Sequence, residues 1–269
     1  MSLLGRIIFM SMVCLILIFA FFITLILIFA FSNASFGTLS SDRIPVANLG
    51  QDHVLSCYLP NTIVTKLSVT WAKLGESGVV YQYSNGAPIL QDQNSQFRGR
   101  TELFPDALVN GNASLRLRTA RRSDEGEYTC TISSSAGGGK VSISLRTAAY
   151  TAPTFTHVNN TLIAQANRWS PKPNVTWFTI DQDVLQGSTY FSEASNNIYS
   201  VVSTLQTINN SGNYLCKIEN DLVLSTSIIT SADSDVSVTS YFTYSDAPPV
   251  LLSAYLNIIP FVFCVCYLT

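Results

Sequence analysis

Three residues constrain this chain more than any others: Cys57, Trp71 fourteen positions later, and Cys130, which closes the run "DEGEYTC" at 124–130. A cysteine on one strand, a tryptophan on the next and a second cysteine preceded at two residues by a tyrosine, here Tyr128, are the parts that crosslink two packed sheets. The bridge joins the sheets, the indole packs against it and the phenol closes a corner of the chain. Six cysteines occur in the chain, but only Cys57, Cys130 and Cys216 lie in its body; Cys14 sits in an apolar amino-terminal run, and Cys264 and Cys266 in an apolar carboxy-terminal one. A Cys57–Cys130 disulfide closes a 73-residue separation and on the loop-entropy estimate stabilises by about 4 kcal/mol. It requires an oxidising compartment.

The body obeys the same architecture. Short alternating runs such as "VLSCYL", "LSVTWAKL", "ASLRLRT", "EYTCTIS" and "KVSISLRT" are separated by turn residues, the period-two signature of an all-β sandwich. The spacing predicts an immunoglobulin-like β-sandwich over 36–147, with an interval long enough for the additional C′ and C″ strands of a variable-type domain. Arg100 and Asp124 fall where such domains carry an ion pair closing one end. After the linker "TAAYTAP", a second series ("NTLIAQA", "NVTWFTI", "IYSVVSTLQT", "GNYLCKIEN", "VLSTSIIT") predicts a second, tandem sandwich over 151–230. Trp177, Tyr214 and Cys216 repeat the first unit's logic, but counting back 13 residues from Trp177 reaches Ala164. The 52-residue interval from there to Cys216 is the shorter, constant-type one. The second unit is therefore expected to lack its internal disulfide, leaving Cys216 unpaired and buried as a small apolar side chain.

Both ends are apolar. Residues 1–34 read as a signal peptide or an uncleaved signal anchor, following the single basic residue Arg6. Residues 231–249 read as a stalk, and 250–269 as a membrane anchor or a lipid-attachment signal; no Lys or Arg follows Lys217. Asn112, Asn159, Asn174 and Asn209 head sequons for N-linked sugar, and a fifth, Asn33, falls at the end of the leader. Placement outside the cell membrane follows. Without Arg6, 14 basic residues face 17 acidic ones, since 15 less 1 is 14. The resulting net of about −3 argues against nucleic acid or anionic lipid as partners.

The segments "FRGRTELF" (97–104), "GNASLRLR" (111–118), "DEGEYTC" (124–130), "RWSPKPNVTW" (168–177) and "CKIEND" (216–221) carry a resemblance to the butyrophilin-related costimulatory and coinhibitory ligands. That resemblance implies a cell-surface ligand that restrains T-cell activation, proliferation and cytokine output by contact with a T-cell counter-receptor. An adhesive, self-associating immunoglobulin protein and a stimulatory ligand of the same layout remain open alternatives. The chain departs from the family at Ala164, where relatives carry a cysteine.

No enzyme is expected. Two histidines, His53 and His157, stand without a Cys, Asp or Glu cluster at ligand spacing, so metal and histidine-based catalysis both lack parts. "AGGGK" at 136–140 lacks the G-x-x-x-x-G-K-[ST] spacing of a phosphate loop. Neither a cofactor nor a small-molecule substrate is implied. Binding then falls to a sheet face, for which the family resemblance points to the strands around Val141–Leu145 (G), Cys130 (F), Trp71 (C) and Tyr81–Tyr83 (C′). With Trp71 and Cys130 turned inward, Thr70, Ala72, Thr129 and Thr131 turn outward. With Val141, Ile143 and Leu145 inward, Ser142 and Ser144 turn outward. Tyr81 and Tyr83 share a face of strand C′: the interface reading turns them to a partner, the other into the core. The loop from Ser133 to Lys140 completes the patch.

Overall fold

The computed structural model describes residues 3–33, 40–59, 66–135, 137–194, 197–206, 211–232 and 235–245; the apolar segment 250–269 and Asn209 lie outside them. Leu3–Asn33 forms one helix, α1. Its described side chains are largely apolar and exposed, Phe19 at 70% and Leu15 at 66%, so α1 has no polar face to turn to water.

Among the described residues, nine strands build the first sandwich: β1 (Val46–Asn48), β2 (His53–Leu55), β3 (Ser68–Lys73), β4 (Tyr81–Ser84), β5 (Ala87–Pro88), β6 (Thr101–Leu103), β7 (Leu115–Leu117), β8 (Gly126–Ser134) and β9 (Gly137–Ala148). One sheet runs β1-β9-β8-β3-β4-β5, the other β2-β7-β6. Alternation along each strand sorts its residues between core and solvent. On β3, Val69, Trp71 and Lys73 are buried between half-buried Ser68, Thr70 and Ala72. The Cys57–Cys130 disulfide joins the layers, and Trp71, wholly buried, donates its indole N–H to the Ala113 carbonyl at 3.0 Å. Phe97, Leu55, Leu115, Leu117, Ile132, Ile143 and Leu145 fill the space around them.

One end of this sandwich is closed electrostatically. The Arg100 guanidinium grips the Asp124 carboxylate through two hydrogen bonds of 2.6 and 2.9 Å, and the carboxylate also accepts from the Arg121 amide and the Gln96 side chain. Tyr128 donates its hydroxyl to the Asp124 carbonyl at 2.6 Å, the tyrosine corner expected two residues before the second cysteine. Beneath it, buried Lys73 donates to the Ser123 carbonyl at 2.6 Å. Arg100, Asp124, Lys73 and Tyr128 each have a partner, as burial demands.

The second set of strands is β10 (Thr154–Val158), β11 (Thr161–Trp169), β12 (Asn174–Thr179), β13 (Val184–Leu185), β14 (Ser188–Ala194), β15 (Ile198–Gln206), β16 (Ser211–Glu219), β17 (Val223–Ala232) and β18 (Asp235–Tyr244). Its sheets run β10-β11-β15-β14 and β13-β12-β16-β17-β18. Trp177 lies directly across from Cys216, as Trp71 lies across from Cys130, and donates its indole N–H to the Ser203 hydroxyl at 2.9 Å. Cys216 and Ala164 share this buried cluster with Trp169, Leu162, Val201 and Ile229. Cys216 has no disulfide partner and is fully buried.

The stalk expected over 231–249 needs correcting. Within it, Asp235–Tyr244 is a strand, paired antiparallel to β17 over ten residues from Ala232↔Asp235 to Val223↔Tyr244. Its physical cause is visible in the residues: Val236, Val238 and Phe242 alternate with Ser and Thr, and Val236 and Phe242 pack onto the second core.

The two sandwiches meet through a dense joint. Ala149 and Ser170 exchange backbone hydrogen bonds, Arg168 donates to the Leu49 carbonyl at 2.8 Å, and Arg122 donates to the Ser170 hydroxyl. Val46 and Ala148, from β1 and β9, belong to the second apolar cluster.

Candidate partner-binding face

Register fixes what the six-stranded sheet shows to solvent. Thr70 lies across from Thr131 and Ala72 across from Thr129, while Thr129 lies across from Ser142 and Glu127 from Ser144. Directly opposed residues share a face. Thr70, Ala72, Thr129, Thr131, Ser142 and Ser144 therefore lie together on the side away from Trp71 and Cys130, in rows that cross β3, β8 and β9.

Tyr81 and Tyr83 do not join them. Tyr81 lies across from Trp71 and Tyr83 across from Val69, both inward positions, so the pair faces the core. Tyr81 is only 8% exposed within the first cluster and Tyr83 packs against it. Burial pushes the Tyr81 phenol up in pKa, with Glu102 adding to it. The outward residue of β4 is Gln82, across from Thr70, and Ser84 shares a 2.6 Å hydrogen bond with Ser68.

The patch between Ser133 and Lys140 is also tighter than a flexible loop. β8 and β9 continue through it to the pair Ser134↔Gly137, and the Ser134 hydroxyl donates to the Gly137 carbonyl at 2.7 Å. A Cβ on Gly138 would stand 2.5 Å from the Ile132 carbonyl oxygen; glycine lets the strands approach there. Lys140, across from Thr131, is the one basic side chain of these rows and Glu127 the acidic one. Alternation alone was enough to find Lys140 and Glu127. Gln82 needed the register of β4.

The face is thus flat, polar and built from small side chains. The opposite sheet is different: Arg116 bridges Asp52 at 2.9 Å and Glu102 at 3.3 Å, and Arg118 bridges Glu102 at 2.8 Å, all partly exposed. The Thr119 amide, ahead of Arg116 and Arg118, holds the Asp52 carboxyl below its usual range. Exposed pairs of this kind contribute little to stability and set surface charge instead.

Of the sequon asparagines, Asn159 and Asn174 are exposed on the second sandwich, whereas Asn112 is half-buried, its side chain accepting from the Ser114 amide. Buried Ser114 in turn accepts from the Cys57 amide at 3.1 Å. His157 faces the Ser231 hydroxyl at 3.1 Å, and burial pushes the His53 imidazole down in pKa, Asp42 opposing. Among the described residues no three His, Cys, Asp or Glu side chains come together to hold a metal ion.

The sequence matches the immunoglobulin V-set domain family over residues 41–146. It is 35% identical over 250 residues to the mouse V-set domain containing T-cell activation inhibitor 1, covering 88% of this chain and 87% of that one, and 34% identical over the same shares to the human protein. Mouse butyrophilin-like protein 2 is 27% identical over 186 residues, covering 66% of this chain and 41% of its own. Among solved structures, the human B7-H4 IgV-like domain covers 41% of this chain and 96% of its own at 34% identity, with a TM-score of 0.38. The chain belongs to the family of V-set domain-containing T-cell activation inhibitor 1, immunoglobulin-type proteins that are not enzymes.

Proposed function

We propose that this protein is a cell-surface ligand that restrains T-cell activation, proliferation and cytokine production through contact between its first sandwich and a protein counter-receptor on the T cell. The observation that carries this reading is the identity of 35% along 88% of the chain to a protein named as a T-cell activation inhibitor. In this reading 36–147 is the variable-type recognition domain and 151–230 a constant-type domain below it. Residues 1–34 direct the chain outward, 250–269 serve as a membrane anchor or as a lipid-attachment signal, and Asn159 and Asn174 carry sugar. The contact surface is the outer face of β9, β8, β3 and β4, centred on Thr70, Ala72, Thr129, Thr131, Ser142 and Ser144 with Gln82 in place of the tyrosines.

Beads that carry antibody to the T-cell receptor complex, with or without the ectodomain, test the sign of the signal. Lower proliferation and cytokine release on ectodomain beads is expected. Unchanged or raised proliferation would falsify the inhibitory reading.

A further inference from the structure

The direction of β18 decides where the chain leaves its folded part. β11 ends at Trp169, next to the Ala149–Ser170 pair of the joint. β17 runs away from the joint, and β18 runs back along it. At the end of β18 the chain is fastened to the joint itself. The Tyr150 ring packs on Phe242 at 5.1 Å and on Tyr244 at 5.8 Å, its hydroxyl donates to that of Tyr244 at 3.2 Å, and Arg146 of β9 donates to the Ser245 carbonyl. The Ser245 amide donates to the Leu222 carbonyl at 3.1 Å. Ser245 is therefore at the waist of the molecule, beside the first sandwich, and not at the far tip of the second.

From Ser245 to Val250, where the sequence turns predominantly apolar, there are five steps. At about 3.3–3.6 Å per residue these reach at most ~18 Å, whatever their course. The ten residues of β18 span about 30 Å at ~3.4 Å per residue. The apolar segment cannot start beyond the far tip of the second sandwich while β18 stays paired.

A second observation concerns what lies along this edge. β18 is the last strand of its sheet, it is long, and after Asp235 it carries no charge and no proline; β10 of the other sheet lies beside part of it. Proteins usually guard such an edge with a charge or a proline. Tyr241, on the side of β18 away from Val236 and Phe242, is 49% exposed. Tyrosine favours the headgroup level of a bilayer, where water still reaches unpaired backbone groups.

We infer that the chain is tethered side-on at its waist, with the β18 edge lying against the lipid surface, rather than upright on the tip of the second sandwich. This rests on the surface-anchored reading above, but not on the sign of the T-cell signal.

The test uses the full chain in lipid nanodiscs. Hydrogen exchange is expected to show that the amides of 236–244 on the side away from β17 are more protected in nanodiscs than in detergent. A Tyr241→Trp variant is expected to be quenched by brominated lipid, against a low background because Trp71, Trp169 and Trp177 are buried. The distance of a fluorophore at the Asn85–Gly86 turn from a membrane dye should change, by up to ~30 Å, when Val236→Ser and Phe242→Ser together release the strand. Unprotected amides, an unquenched Trp, or equal heights in the two proteins would each overturn the proposal. Protection without quenching would mean that a second copy covers the edge instead of lipid. If the double variant fails to fold, the Tyr241→Trp measurement still decides. Failure of the T-cell assay with a quenched Trp would sink the inhibitory reading and leave the tether standing.

Discussion

At Asp124 four donors converge on one buried carboxylate: two from Arg100, the Arg121 amide and the Gln96 side chain. Burial alone would raise its pKa, but these bonds, Arg100 foremost, outweigh that and hold it below the usual value. Asp124→Ala strands the Arg100 guanidinium in the core, and breaking a buried pair costs about 3–5 kcal/mol; urea titration of the first sandwich measures it. The folded pKa is the depressed one, so the stability from Asp124 is complete above the unfolded pKa near ~3.9 and is lost as pH falls through the folded value. Unfolding titrations below about pH 4 should show that loss in the native protein and a flatter profile in Asp124→Asn. In the second sandwich burial pushes the Cys216 thiol up to about 12, so native protein should resist alkylation at pH 8 and denatured protein should label fully. Ala164→Cys should restore the missing bridge and raise stability by about 4 kcal/mol on the loop-entropy estimate, read as a shift in the denaturant midpoint under oxidising conditions. Residues whose role comes from spacing, such as Cys57, Trp71, Arg100, Asp124 and Tyr128, were legible from sequence because each packs against a partner at a fixed offset. Tyr81 was not, because its side of the sheet depends on which residue of β3 it opposes.

Strands carry the proposed contact surface, and substitutions on their two sides should separate binding from stability. Thr131→Arg on β8 leaves the core untouched and places a long charge in the middle of the outer face. Binding of the ectodomain to activated T cells should fall at least about tenfold, equal to ~1.4 kcal/mol, with an unchanged melting temperature. Tyr81→Ala should do the reverse, destabilising by about 3 kcal/mol because a large buried ring is removed. If Tyr81→Ala abolished binding at full stability, the tyrosine would belong to the contact after all. Alternation exposed β3, β8 and β9 in the sequence, and their inward set of Val141, Ile143 and Leu145 lies where the pattern places it. β18 escaped for a physical reason. Its Ser and Thr residues resemble a stalk in composition, while the signal that marks it as a strand is the order of Val236, Val238, Phe242 and Tyr244 on one side. That signal gains meaning only when β17 is there to pair with it.

The whole molecule is held by its joint more than by a linker. Tyr150 touches both the first sandwich, through reciprocal hydrogen bonds with the Asn48 side chain, and the second, through Phe242 and Tyr244. Tyr150→Ala should widen the range of angles between the sandwiches, seen in small-angle scattering as a larger radius of gyration, with the first sandwich's unfolding midpoint unchanged; an identical scattering profile would count against this role. The contact face described above consists at its centre of hydroxyls and Ala72, with Gln82, Glu127 and Lys140 around them, and that set holds no aromatic ring or arginine to fill a partner's pocket. On the proposed function, one copy would grip weakly through such a surface, and the strength of engagement would come from many copies acting together across a cell contact, where avidity multiplies what a single bond lacks. A responding T cell would in that case measure how densely the ligand is displayed, and a modest change in surface abundance would move the response from none to full.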